Sequence, residues 1–164
     1  MFRKVFGSAS PVGTRAPLRS DSMAADLRGA LARLIPRWTA QGAGLLPPAT
    51  LHDVRVVFGR LGAVATPDVI ALYGTFGGMR EMAGDSYLRI WPLEEIAERP
   101  RSDHGVLFAD YLISSWEYRL SPASEDQSAV HVDHSGQNEM RIGPTLEAFL
   151  ISLDCDADFL HRVW

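Results

Sequence analysis

The sequence holds a single cysteine, Cys155, among 164 residues. One thiol can build neither an internal disulfide nor a thiolate metal cluster, and it fits a reducing, cytoplasmic compartment. Long apolar runs are missing too: none approaches the roughly 18 residues needed to span a bilayer, so no membrane crossing is expected. Lysine is nearly absent. Of sixteen basic residues only Lys4 is lysine, so the cationic groups are almost all planar, bidentate guanidiniums. No Gly-x-Gly-x-x-Gly follows a strand-like stretch, and Gly74-Thr75-Phe76-Gly77-Gly78 lacks the Lys-Ser/Thr of a phosphate-binding loop. Ser114 and Ser115 lie outside any Gly-x-Ser-x-Gly elbow, which leaves a serine hydrolase without local support. Acids are absent from the first twenty positions, where four basic groups are scattered among Ser, Pro and Gly. Residues 1–20 are therefore expected to be a flexible basic tail and residues 21–164 a single domain.

What is present is the composition of one compact domain, with 46% hydrophobic and 22% charged residues, enough to build a core without metal or disulfide. The net charge of -4 is unevenly spread. Residues 1–60 carry nine basic and three acidic side chains (+6), whereas residues 61–164 carry seven and seventeen (-10). An acidic second half repels nucleic-acid phosphates and attracts basic proteins.

From Ser22, an expected N-cap, apolar residues Leu27, Ala30, Leu31, Leu34, Ile35 and Trp38 recur at helical spacing, and Pro36 is expected to end or kink that helix. Thr50 and Asp53 predict a capping box before Leu51, Val54, Val57, Phe58 and Leu61, with Gly62 as the stop. Thr66-Pro67-Asp68 opens a third helix that buries Val69, Ile70, Leu72 and Tyr73 and closes on Gly74, Gly77 and Gly78. After Gly84 the period falls toward two. Strands are predicted at 86–91, 106–113, 115–120, 128–134 and 139–142, the second and third making either a tight hairpin or one long bent strand, with a short helix at 93–97. In the last pair Val130, Val132, Met140 and Ile142 alternate with His131, Asp133, Glu139 and Arg141 around the turn 135–138, which makes a hairpin wet on one face. Leu146, Phe149, Leu150 and Leu153 form a closing helix, and Asp156 caps a final turn carrying Phe159, Leu160, Val163 and Trp164. Helices, then strands close in sequence, then a helix predict an α+β domain: an antiparallel meander wrapped by N- and C-terminal helices.

Candidate chemistry is sparse. His131-x-Asp133-His134 carries metal-ligand types, but on a strand only positions 131 and 133 point together, so a metal would need recruits such as Asp110 or His104. Cys155 lies between Asp154 and Asp156, the wrong surroundings for a reactive thiolate. Glu94, Glu95 and Glu98 read as a solvated helix face. Neither a catalytic constellation nor a cofactor motif emerges.

The glycines closing the third helix, the run Tyr87–Glu98 (YLRIWPLEEIAE), the segment Val106–Leu120 (VLFADYLISSWEYRL), Ala129–Gly136 (AVHVDHSG) and Ile142–Leu153 (IGPTLEAFLISL) together resemble the SUKH superfamily, over roughly residues 50–155. That group includes the yeast cell-wall-assembly regulator relatives and many bacterial immunity proteins. Thr66-Pro67 stands where the family usually carries Leu-Pro. The resemblance implies a non-enzymatic module whose sheet offers a surface to another protein, in bacteria commonly a toxin, frequently a nuclease. A basic toxin is then the expected partner, with no nucleic acid, membrane or cofactor. On the wet sheet face the expected partner-binding residues are Glu117, Arg119, His131, Asp133, Glu139 and Arg141. Asp110 joins them as an acid sharing a strand face with Phe108 and Leu112, either at a sheet edge or in a functional groove. Trp116 and Tyr118 are expected in the core, unless a bulge turns them into interface anchors. The alternatives are a metal-dependent hydrolase centred on His131 and Asp133, and an intracellular scaffold without a toxin partner.

Overall fold

A computed structural model describes residues 19–84, 86–99, 101–134, 139–156 and 158–162, with backbone alone for 19–25, 139, 161 and 162. The N-terminal part is helical: α1 (Arg19–Ala40), α2 (Leu51–Arg60) and α3 (Pro67–Thr75). Helix α1 begins before Ser22 and runs through Pro36 without ending there. Pro36 is exposed, and so is Ala32, whose carbonyl loses its partner to the proline ring; water can satisfy it. The capping box at α2 forms as expected, with the Thr50 hydroxyl accepting from the Asp53 N–H and the Asp53 carboxylate accepting from the Thr50 N–H.

Helix α3 starts differently from a simple cap. The buried Thr66 hydroxyl makes no helix-capping bond. It binds the Asp68 carboxylate at 2.6 Å and the Ser128 hydroxyl at 2.6 Å, while the other Asp68 oxygen accepts from the Ser128 N–H at 2.8 Å. Three polar groups thus tie the start of α3 to a strand sixty residues away. Burial pushes the Asp68 carboxyl above its ordinary value.

The sheet follows as β1 (Leu88–Ile90), β2 (Val106–Tyr111), β3 (Trp116–Pro122), β4 (Ser128–Asp133) and β5 (Glu139–Gly143), all antiparallel neighbours in the order β1-β2-β3-β4-β5. Short α4 (Leu93–Ala97) interrupts the run after β1, and α5 (Leu146–Cys155) and α6 (Phe159–Arg162) follow it. The α+β architecture is the expected meander flanked by helices. The expected turn at 135–138 and the terminal Val163 and Trp164 lie outside the described residues.

Alternation sends Leu88, Ile90, Tyr118, Leu120, Val130 and Val132 to one face, where all are buried. Helices α1, α3 and α5 pack together, and α5 lies against β4 and β5. Phe149 of α5 is the hub, with ring centroids 5.5 Å from Tyr118, 6.2 Å from Phe108 and 6.0 Å from Phe159. Phe149, Tyr118 and Phe108 are fully buried, and each contributes roughly 1.5–3 kcal/mol of transfer free energy. A second contact seats α1 on α5: Arg33 pairs with the Asp154 carboxylate at 2.5 Å, and Arg37 donates to the carbonyls of Leu153 and Asp154 at the α5 C-terminus.

Between α3 and β1 the chain threads a tight crossing. A Cβ on Gly77 would lie 2.3 Å from the Pro47 carbonyl oxygen, and Gly78 has φ +107° with the Pro92 backbone nitrogen 2.7 Å from where its Cβ would be. Only glycine fits both positions.

Candidate functional site

The outer face of the sheet carries the polar residues, and its register orders them into rows. Across the strands Asp110 stands opposite Glu117, Glu117 opposite Asp133, and Asp133 opposite Glu139. The adjacent row runs Arg119, His131, Arg141. Acids therefore face acids and bases face bases on neighbouring strands, an arrangement that directly opposed like charges make unfavourable in the isolated sheet. Relief comes between the rows, where Arg119 donates to Glu117 at 2.7 Å. His131 Nε2 meets the Ser121 hydroxyl at 2.9 Å, and Arg141 donates to the Pro144 carbonyl at 2.7 Å. Glu117, Arg119, His131 and Asp133 are half-buried, Arg141 is exposed, and the Glu139 side chain lies outside the description. Asp133 Oδ1 is buried and accepts no hydrogen bond from the described residues.

Asp110 belongs to this row for a reason that alternation alone misses. The β2–β3 register slips between Leu107 and Ala109, a bulge that sends Phe108 inward to Phe149 and puts Asp110 on the face of Glu117. It therefore does not share a face with Phe108. Asp110 is buried, at 5% exposure, under the indole of Trp91, whose Nε1–H donates to Oδ1. Arg99 lies over that indole, 4.3 Å from its centroid. Arg89, at the β1 end of the row, makes a bidentate pair with Glu95 at 2.9 and 2.5 Å. Trp91 and α4 thus close the β1–β2 end of the outer face and leave β3 to β5 more open.

The second Asp110 oxygen accepts from the Ser114 N–H at 2.8 Å and anchors the connection between β2 and β3. That connection is the most strained backbone among the described residues. Leu112, Ile113 and Ser114 are successive non-glycine residues at φ +52°, +54° and +60°. Each left-handed residue costs about 1–2 kcal/mol, and a β-branched isoleucine is the least tolerant of it. The loop holds Ile113 at 80% exposure, with Leu112 and Tyr87 beside it, Leu112 N–H donating to the Tyr87 carbonyl at 3.2 Å. Strain of this kind concentrates where structure serves binding.

Trp116, next along β3, is half-buried and stacks on the exposed His134 ring at 3.9 Å, whereas Tyr118 is fully core. The aromatic pair, the apolar loop tip and the acidic row thus lie at one end of the sheet, Trp116 packed against the core and the acids on the outer face. No glycine or turn motif in 112–115 marks the loop; of the two readings the sequence allows, the tight hairpin forms, and β2 ends at Tyr111 rather than at the expected Ile113. The metal alternative gains no support from this geometry: no group of three His, Cys, Asp or Glu among the described residues could hold an ion.

Among the described residues no helix is long and apolar enough to cross a membrane. No protein-family model matches the chain, and no curated protein does.

Proposed function

We propose that this chain is a non-enzymatic protein-binding module of the SUKH kind, which neutralises a basic partner such as a nuclease toxin domain by covering its phosphate-binding surface. The observation that carries the reading is the row Glu117, Asp133 and Glu139, three acids directly opposite one another on β3, β4 and β5. Such a row destabilises the free module and is relieved when cations cover it. The strained tip at Ile113 supplies the apolar anchor that charge alone lacks, at the edge of the same surface. A nuclease must be basic where it grips phosphate, so an acidic face with an apolar neighbour complements it and associates quickly.

The test is affinity capture from the native cell with mass spectrometry, run in parallel with the E117R/D133R double variant. The reading expects a basic protein retained by the wild type and lost by the variant. An acidic partner, or one held equally by both baits, overturns it.

A further inference from the structure

Strand β5 ends the sheet, and no strand pairs with its far side among the described residues. Its core-side alternation also fails there: Met140, opposite buried Val132, is 45% exposed. Natural edge strands are usually blunted by lysine, proline or a bulge. Here the bulge falls at Ile142, between the Val130–Gly143 and His131–Arg141 pairs, and leaves Glu139, Met140 and Arg141 as a regular stretch without lysine or proline.

We propose that this edge pairs antiparallel with the same edge of a second copy of the chain, across a two-fold axis at Met140. The triplet is self-complementary in that register. Met140 meets Met140, Glu139 meets Arg141 of the second copy, and the symmetry repeats the pair on the other side of the axis. The consequence reaches beyond β5, because the rows of the two sheets become continuous. The acidic row of Glu117, Asp133 and Glu139 runs into the basic row of Arg141, His131 and Arg119 in the second copy, and the reverse holds for the neighbouring row. Rows that oppose like charges within one sheet thus meet opposite charges end to end across the axis. The other β5 register positions offer no such match: an axis at Glu139 or at Arg141 sets like charges against themselves. The outer face stays open in this arrangement, so the inference does not rest on the proposed function.

Sedimentation velocity of the full chain over a concentration series tests it. The wild type should self-associate with a Kd on the order of tens of micromolar, as befits a short strand pair, and more weakly at high salt. E139R and R141E should each weaken association about tenfold, since each sets two like-charged pairs across the axis. Mixing the two variants should restore it as a heterodimer, because every cross-axis pair is then of opposite sign; the rescue also certifies that both variants fold. M140C in a Cys155→Ser background should form a symmetric disulfide, as directly opposed strand residues lie within bridging distance. A wild type that stays monomeric throughout overturns the inference. So does a dimer indifferent to both charge variants, or one that M140C fails to cross-link.

Discussion

Trp91 and Asp110 meet across the outer face of the sheet, the indole N–H of one donating to the buried carboxylate of the other. The same carboxylate holds the Ser114 N–H, so one side chain joins the cover over β1–β2 to the strained loop between β2 and β3. Asp110→Ala is expected to lower stability by roughly 2–4 kcal/mol, since it leaves a buried indole and a loop amide without an acceptor. Chemical denaturation measures this, and a loss below about 1 kcal/mol, the net worth of a single ordinary hydrogen bond, would mean the carboxylate is not the lock described.

Relief of the loop backbone should act in the opposite direction. Ile113→Gly is expected to raise stability by about 1 kcal/mol, because the left-handed cost removed exceeds the extra unfolded-state freedom glycine brings, and the exposed side chain gives up little burial. The same substitution should weaken capture of the proposed basic partner, whose apolar anchor it removes. A variant less stable than the wild type would show that the loop carries no such strain.

At the tight crossing, Gly78→Ala should cost about 3 kcal/mol or more, through both its φ of +107° and the Pro92 backbone that occupies the Cβ position. Gly59 is the matched control: a Cβ there meets nothing within 4 Å, so G59A should be neutral or slightly stabilising. Thermal melts of the two variants side by side decide the point.

Burial first, and then Asp26 and Asp68, push the Glu147 carboxyl above its ordinary value. A carboxyl raised in the folded state binds its proton more readily folded than unfolded, so its charge opposes folding at neutral pH and ceases to do so as pH falls through the raised value. Glu147→Gln should therefore be more stable than the wild type at pH 7, with the gap closing as the solution is acidified toward pH 4. Denaturation curves across that range check the sign; a gap that widens on acidification contradicts it.

Local chemistry made much of this fold readable. Thr50 and Asp53 sit at capping-box spacing, Thr66-Pro67 marks a helix start, and the alternation from Val130 to Asp133 put the acids on the outer face. The departures share a cause in tertiary context. Pro36 stays inside α1 on an exposed turn, with Ala32 and Pro36 both at the surface, where the lost hydrogen bond costs least. Asp110 changes face because one extra residue in β2 resets the parity of everything after it, which periodicity cannot detect. Met140 is 45% exposed although it stands opposite buried Val132, whereas Leu88 and Ile90 on the other edge strand are buried, so alternation alone does not decide burial at an edge. The Thr66, Asp68 and Ser128 cluster and the Trp91–Asp110 bond join distant segments, and no spacing rule points to them.

The clasp of Arg33 and Arg37 on the end of α5 bears on how the protein is made. Translation delivers α1 first and its docking site more than a hundred residues later. Until Leu153 and Asp154 have left the ribosome, Leu27, Leu31 and Leu34 have no complete surface to settle on. A chain stalled before α5 therefore leaves the apolar stripe of α1 partly uncovered.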